Sequence, residues 1–178
     1  PADQPSIQAG IDAASGGDTV LVAEGLYYEN VNFRGKAITL ASYHLLDGLE
    51  THIENTVING SQASSADTGS CVVMCSGEDT TSVLHGFTLT GGTGTYLEEY
   101  FDFSGGGIHL SGAGAKICHN IIEGNMISDG SPEIQGLIGG GIATYVETDT
   151  FWIVIENNII RDNHLVSSDD SYLYGGGI

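Results

Sequence analysis

The sequence writes Gly-Gly-Gly-Ile three times, at Gly105–Ile108, Gly139–Ile142 and Gly175–Ile178, with spacings of 34 and 36 residues. A second motif travels with it. The stretches VLHGFTLTGG (83–92), KICHNIIEGN (116–125) and VIENNIIRDN (154–163) align without gaps. Leu84, Ile117 and Ile155 correspond in that alignment, as do Leu89, Ile122 and Ile160. Phe87, Asn120 and Asn158 share one register; Gly92, Asn125 and Asn163 share another. A period of this length limits the chain to a stack of similar units, because one short unit cannot bury its apolar face alone.

Each unit reads as two short strands, two turns and a longer polar loop. Apolar residues alternate along the strands and are mostly β-branched. Glycine triplets, Asn-Asn pairs and β-branched runs all disfavour helix. Stacked coils lie about 4.8 Å apart, so any corner residue must fit against its own copy. That predicts structural roles for Gly105, Gly106, Gly107, Gly139, Gly140 and Gly141, where each long loop returns to the sheet and a positive φ makes a sharp corner. Asn120 and Asn158 are expected to tolerate left-handed backbone and to join amide to amide in a ladder between coils.

The 178 residues suit one domain with a sizeable core. The net charge is −19, from 23 acids against four bases, Arg34, Lys36, Lys116 and Arg161. So few cations cannot neutralise a row of phosphates, which excludes nucleic acid and an anionic membrane surface as partners. The acids are read either as solvating charge or as ligands for a divalent cation. No apolar run approaches the roughly 18 residues of a membrane span, so no membrane insertion is expected. The chain opens directly on PADQPSIQAG, compatible with a mature secreted protein or a trimmed sequence. Cys71 and Cys75 sit about 13 Å apart if CVVMC is a strand, too far for a disulfide. Cys118 could meet one of them across coils, but buried free thiols are the simpler expectation, and no CxxC or Cys/His metal spacing occurs.

The stretch PSIQAGIDAASGGDTVLVAEGLYYENVNFRGKAITLAS (5–42) resembles the N-terminal cap and first coils of right-handed parallel β-helix proteins of the pectin-lyase-like superfamily. The downstream GFTLTGG, NIIEGN, NIIRDN and GGGI resemble the bacterial secreted and surface repeat proteins of that class. The resemblance implies an all-β, right-handed parallel β-helix (a β-solenoid). It does not fix an activity, since the superfamily holds lyases, hydrolases, epimerases, phage tailspikes and surface proteins. The residues agree with a cap. Ser6 can N-cap a helix in which Ile7, Ile11 and Ala14 share one face, ended by Gly16-Gly17. We therefore expect a capping segment over 1–17 and about five to six coils over 18–178. The runs 18–22 and 36–40 are expected to be the first core strands. Ile178 falls on the core position of an unfinished coil. Three readings are open there: a longer protein, an end buried on a partner or another copy, or a frayed end.

The polar loops before each GGGI should stack on one flank, where solenoids usually carry function. They offer Tyr96, Glu98, Glu99, Tyr100 and Asp102 in the first loop, Asp129 and Glu133 in the second, and Asp169, Asp170 and Tyr172 in the third. Carboxylates with tyrosines suit a glycan, directly or through a bridging cation. The competing reading is that the tyrosines cover the loop bases and the acids face water. No cofactor is implied with certainty; Ca²⁺ is the candidate, although neither a β-roll nor an EF-hand calcium motif occurs. Lyases of this superfamily use a basic residue and a cation, and no second base is paired with Arg161 by sequence. Of the polygalacturonase motifs only Asp169-Asp170 offers a match. His85, Cys118 and Glu156 share one aligned position beside a turn, with His119 and Asn157 in the next, a conceivable metal or nucleophile cluster or else a solvated edge. Asn59-Gly60-Ser61 matches a glycosylation sequon, which a turn explains better. The expected function is a secreted or cell-surface structural and adhesive module. Its partners would be polysaccharide or further copies through the open C-terminal coil. The alternative is a polysaccharide lyase or hydrolase, with no catalytic residue assigned.

Overall fold

The computed structural model describes residues 4–65, 68–129, 133–145, 151–167 and 171–178. The chain winds into a parallel β-solenoid of about four turns. Its first strand column stacks Thr19–Val22, Thr39–Ser42, Val83–His85, Ala115–Cys118 and Ile153–Glu156. The second stacks Gly25–Tyr27, Thr56–Asn59, Thr88–Thr90, Ile121–Glu123 and Ile159–Arg161. The third stacks Val31–Asn32, Val72–Met74, Ile108–Ser111 and Ile142–Tyr145. The register is the one the repeat alignment predicts. Leu40, Leu84, Ile117 and Ile155 lie in line, and so do Leu89, Ile122 and Ile160. Alternation sends these residues inward. Leu40, Leu84, Leu89, Ile108, Leu110, Ile117 and Ile122 are fully buried in one continuous core.

The turn count is lower than the five to six expected. The coil from Leu40 to Leu84 is more than twice as long as that from Val20 to Leu40. The difference between length and coil number is spent on excursions from the corners rather than on further coils.

One helix, α1 (Ile7–Ala13), covers the first coil with Ile7 and Ile11 buried beneath it. Ser6 caps it as expected, its hydroxyl accepting from the Ala9 N–H at 3.1 Å. Two charged side chains of the coil complete the job. The Glu29 carboxylate accepts from the Ile7 and Gln8 N–H groups, each at 2.9 Å. Lys36 Nζ donates to the carbonyls of Ile11, Asp12 and Ala14, each at 2.8 Å. Anion at the N-terminus and cation at the C-terminus both oppose the helix dipole and satisfy its orphan groups. With Lys36 on its last carbonyls, α1 ends at Ala13 without a glycine cap, ahead of Gly16-Gly17.

The GGGI corners stack directly. Gly106, Gly107 and Ile108 donate to the carbonyls of Gly139, Gly140 and Gly141, at 3.2, 3.2 and 2.9 Å. Gly140, Gly141 and Ile142 repeat the pattern onto Gly175, Gly176 and Gly177. Gly105, Gly139 and Gly175 hold φ of +63°, +59° and +64°, the left-handed corner. The next two glycines are required by space: a Cβ on Gly106 would run into the Gly140 carbonyl, and one on Gly107 would lie 2.6 Å from the Gly141 carbonyl.

The asparagine ladders form. Asn120 Nδ2 donates to Asn158 Oδ1 at 3.0 Å, and Asn125 Nδ2 to Asn163 Oδ1 at 2.9 Å. Asn120 Oδ1 also accepts from the Phe87 N–H, and Asn125 Oδ1 from the Gly92 N–H. The left-handed residue, however, is the one before each asparagine or its counterpart in the coil below, Phe87 or Gly92: Gly86, His119 and Asn157 at one corner; Gly91, Gly124 and Asp162 at the other. The asparagine amide braces a bend made by its neighbour. The three thiols are unpaired, with Cys71 and Cys118 buried and Cys75 exposed, so burial holds for two of them. No helix among the described residues is long and apolar enough to cross a membrane.

Gly106→Ala is expected to cost about 1–3 kcal/mol, the range for forcing atoms into a packed site. Gly16→Ala, where a Cβ meets nothing within 4 Å, should be neutral or slightly stabilising. Urea midpoints of the two variants check the contrast.

Candidate functional site

The segments before each GGGI are not simple loops. Met126–Ser128 and His164–Val166 run out from the solenoid as a parallel pair. Gly136–Ile138 and Tyr172–Tyr174 run back, stacking in parallel on Asp102–Ser104, which closes a hairpin with Gly94–Leu97. Between the outgoing and returning strands lies a second small core of Ile127, Ile134 and Leu137, with Tyr96, Phe103 and Leu165 packed on it. The apolar residues inside the polar stretches are what make this side lobe.

The lobe separates the predicted ligand residues. Tyr96 packs on Phe103, ring centres 5.2 Å apart, and covers the lobe's core. Asp102 is half-buried over Gly136, and burial pushes its carboxyl up. Asp129 is a tie between coils, accepting from Ser167 Oγ at 2.5 Å and Ser171 Oγ at 3.1 Å. Glu98, Glu99 and Glu133 are exposed. Tyr100 pairs with Tyr145 of the next coil, whose hydroxyl donates to it at 2.9 Å. Tyr172 and Tyr174 stand exposed side by side, rings 6.3 Å apart and 29° from parallel. Asp169 and Asp170 lie outside the described residues. Among the described residues the lobe thus presents tyrosines with flanking acids rather than one cluster of carboxylates. Tyr174 ends the third loop beside Tyr172, while Tyr145 was outside the predicted set because it lies beyond the loops, after GGGI.

The second constellation lies at the corner between the first and second columns. Ala41, His85, Cys118 and Glu156 stack in one outward line, as the alignment of the last three implies. The structure adds His44. Between Ser42 and Thr56 the chain leaves the coil in two short helices, α2 (His44–Asp47) and α3 (Glu50–Asn55). Ile53 is buried beneath them, and the Ile53 carbonyl accepts from Thr88 Oγ1 at 2.9 Å. His52 fastens the pair outward, Nδ1 at 2.7 Å from Glu24 and Nε2 at 3.2 Å from Asp47. This insertion lays buried His44 against the column. His44 Nδ1 is 2.8 Å from His85 Nε2, and His85 Nδ1 is 3.3 Å from Cys118 Sγ. His119 completes a triangle of imidazoles, with ring centres 5.0, 5.1 and 5.1 Å apart. Burial, then the His44 and His119 rings, hold His85 neutral, its pKa lowered to about 4. Burial also pushes the Cys118 thiol up, so the pair is thiol and neutral imidazole rather than thiolate and imidazolium. Among the described residues, no group of three or more His, Cys, Asp or Glu side chains is arranged to hold a metal ion. The alignment could show the column but not His44, which belongs to no repeat.

All four bases are engaged structurally. Arg34 pairs with Asp12 at 2.9 Å, Lys36 caps α1, Lys116 pairs with Glu156 at 2.7 Å and Arg161 with Glu123 at 2.7 Å.

His109 is buried on the third column, its Nδ1 2.9 Å from Ser104 Oγ. Burial lowers its pKa from 6.5 to about 4. The unfolded chain therefore takes up this proton first as the pH falls. The stability tied to neutral His109 is complete above pH 6.5 and drains between 6.5 and 4, by up to about 3 kcal/mol. His109→Leu should lack that part of the pH dependence, as read from urea midpoints between pH 7 and 4.

Set beside known proteins, the chain matches no protein-family model, no curated protein and no solved structure.

Proposed function

We propose that this chain is a secreted or cell-surface structural and adhesive module, a pectin-lyase-like parallel β-helix that presents its side lobe to extracellular polysaccharide. The observation that carries this reading is the lobe itself. Its parallel returning strands hold Tyr172 and Tyr174 exposed and nearly stacked, and the Tyr100–Tyr145 pair bridges coils. Flat aromatic faces beside exposed carboxylates suit the apolar face and hydroxyl edge of a sugar, and a rigid scaffold keeps the ordering cost of binding low. Ca²⁺ bridging the lobe carboxylates to uronates, and further copies stacked on the last coil, belong to the same reading. The lyase alternative is less well supported, because every Lys and Arg side chain is occupied by a cap or an ion pair; a hydrolase would work instead through two paired carboxylates.

Binding to a panel of neutral and uronate polysaccharides, measured by affinity electrophoresis, should show retention without new reducing ends or unsaturated product. Tyr172→Ala with Tyr174→Ala should weaken it at least about tenfold, some 1.4 kcal/mol. No retention by any polysaccharide sinks the reading, and turnover moves it to the enzyme alternative.

A further inference from the structure

The cap over the first coil closes its strand edges unequally. At the third column the edge strand is Val31–Asn32, and the side chain of Gln8 seals it. Gln8 Nε2 donates to the Asn32 carbonyl at 3.1 Å, and Gln8 Oε1 accepts from the Asn32 N–H at 2.8 Å. One amide thus takes the two bonds that a neighbouring strand would take. At the first column the edge strand is Thr19–Val22. Here a cleft of about 740 Å³ opens between strand and helix, within the size range of ligand sites. Gly10, Ala13 and Ala14 of the α1 segment line one side, and Tyr27 and Tyr43 line it further along.

The ladder sets which backbone groups turn into the cleft. The Thr39 N–H donates to the Asp18 carbonyl, with Thr19 in register with Thr39. In a parallel pair the bonds to that neighbour then fall on Val20, and the N–H and C=O of Thr19 and Leu21 point the other way, toward the cleft. The helix wall is built of small residues, which leave room for a backbone to come close. Tyr27 is already fixed, its hydroxyl donating to the Ala23 carbonyl at 2.8 Å. An edge strand beside a helix, with room between, is the setting for strand addition, in which main-chain bonds give affinity and alternate side chains give specificity.

Charge decides the kind of strand. Asp18 is the charged residue on the cleft wall among the described residues, and Glu24 follows the edge strand. Arg34 is paired with Asp12, and Lys36 is held on the α1 carbonyls. The chain as a whole carries −19, which disfavours an acidic strand and a second copy of the same chain alike. We propose that this cleft binds an extended peptide of a partner protein, added as a strand onto Thr19–Val22, with alternating apolar residues, Lys or Arg at its ends and no acid. The cleft shares no residue with the core of the side lobe, so this binding is independent of polysaccharide.

Three fluorescein-labelled peptides of alternating Val and Thr test it by fluorescence polarisation on the whole chain: one flanked by Lys, one flanked by Glu, and the Lys-flanked one with alternate backbone amides N-methylated. The Lys-flanked peptide should bind saturably and raise the melting temperature by linkage. The Glu-flanked and the N-methylated peptides should each bind at least about tenfold more weakly, the first through charge and the second through lost main-chain bonds. Asp18→Asn should narrow the preference for Lys over Glu. Leu21→Pro removes an N–H on the cleft side of an edge strand, where proline is tolerated, and should abolish binding with its urea transition still cooperative. If that variant fails to fold, Ala13→Phe, which fills the cleft from an exposed helix position, takes its place with the same expected loss. No binding of the Lys-flanked peptide overturns the assignment, as does equal binding of the N-methylated one, which would mark an apolar pocket rather than a strand edge. Self-association of the chain that Leu21→Pro abolishes, seen by sedimentation, would give the edge to a second copy and also overturn it.

Discussion

Everything in this molecule depends on the backbone of each coil meeting the backbone of the next in register. Parallel stacking at strand spacing satisfies the peptide groups along a column. It also forces each residue to live beside its own counterpart. At the GGGI corner the carbonyl of Gly140 occupies the space that a side chain on Gly106 would need. The glycines are thus a consequence of the stacking, and their spacing records the length of a coil.

The same rule sorts the polar groups. An asparagine can donate to and accept from an asparagine, so Asn120 and Asn158, like Asn125 and Asn163, sit buried or half-buried at no cost in unpaired atoms. Like charges cannot be stacked so freely. Where bases occur in the repeats they are set beside acids of the neighbouring coil, Lys116 with Glu156 and Arg161 with Glu123. Exposed pairs of this kind add little stability; their effect is to keep a chain of net charge −19 from stacking acid on acid. His85 and Cys118 belong to the same logic, being uncharged at neutral pH and able to share a column.

Corners are where the solenoid admits variety. The core columns must keep their register, but the connections between them can lengthen at modest entropic cost. Two connections have done so. One makes the side lobe with its own core, and the other makes the helical insertion that brings His44 over the column. Both candidate sites arise at these excursions, while the columns supply rigidity.

The repeat alone determined the parallel solenoid, the pairing of Leu84 with Ile117 and Ile155, the glycine corners and the asparagine ladders. Stacking converts period into contact directly, so these needed no knowledge of the rest of the chain. The column of His85, Cys118 and Glu156 was legible for the same reason. What the sequence could not show were contacts outside the period. Glu29 and Lys36 reach α1 from the coil it covers, more than 20 residues away in sequence, His44 comes from an insertion with no counterpart, and Ile127, Ile134 and Leu137 find one another only after the lobe folds. The number of turns was misjudged on the same ground, since a residue count does not say which residues leave the coil. Tertiary structure decided those matters because they depend on where an excursion lands, and a non-repeated segment carries no second copy from which its landing place can be read.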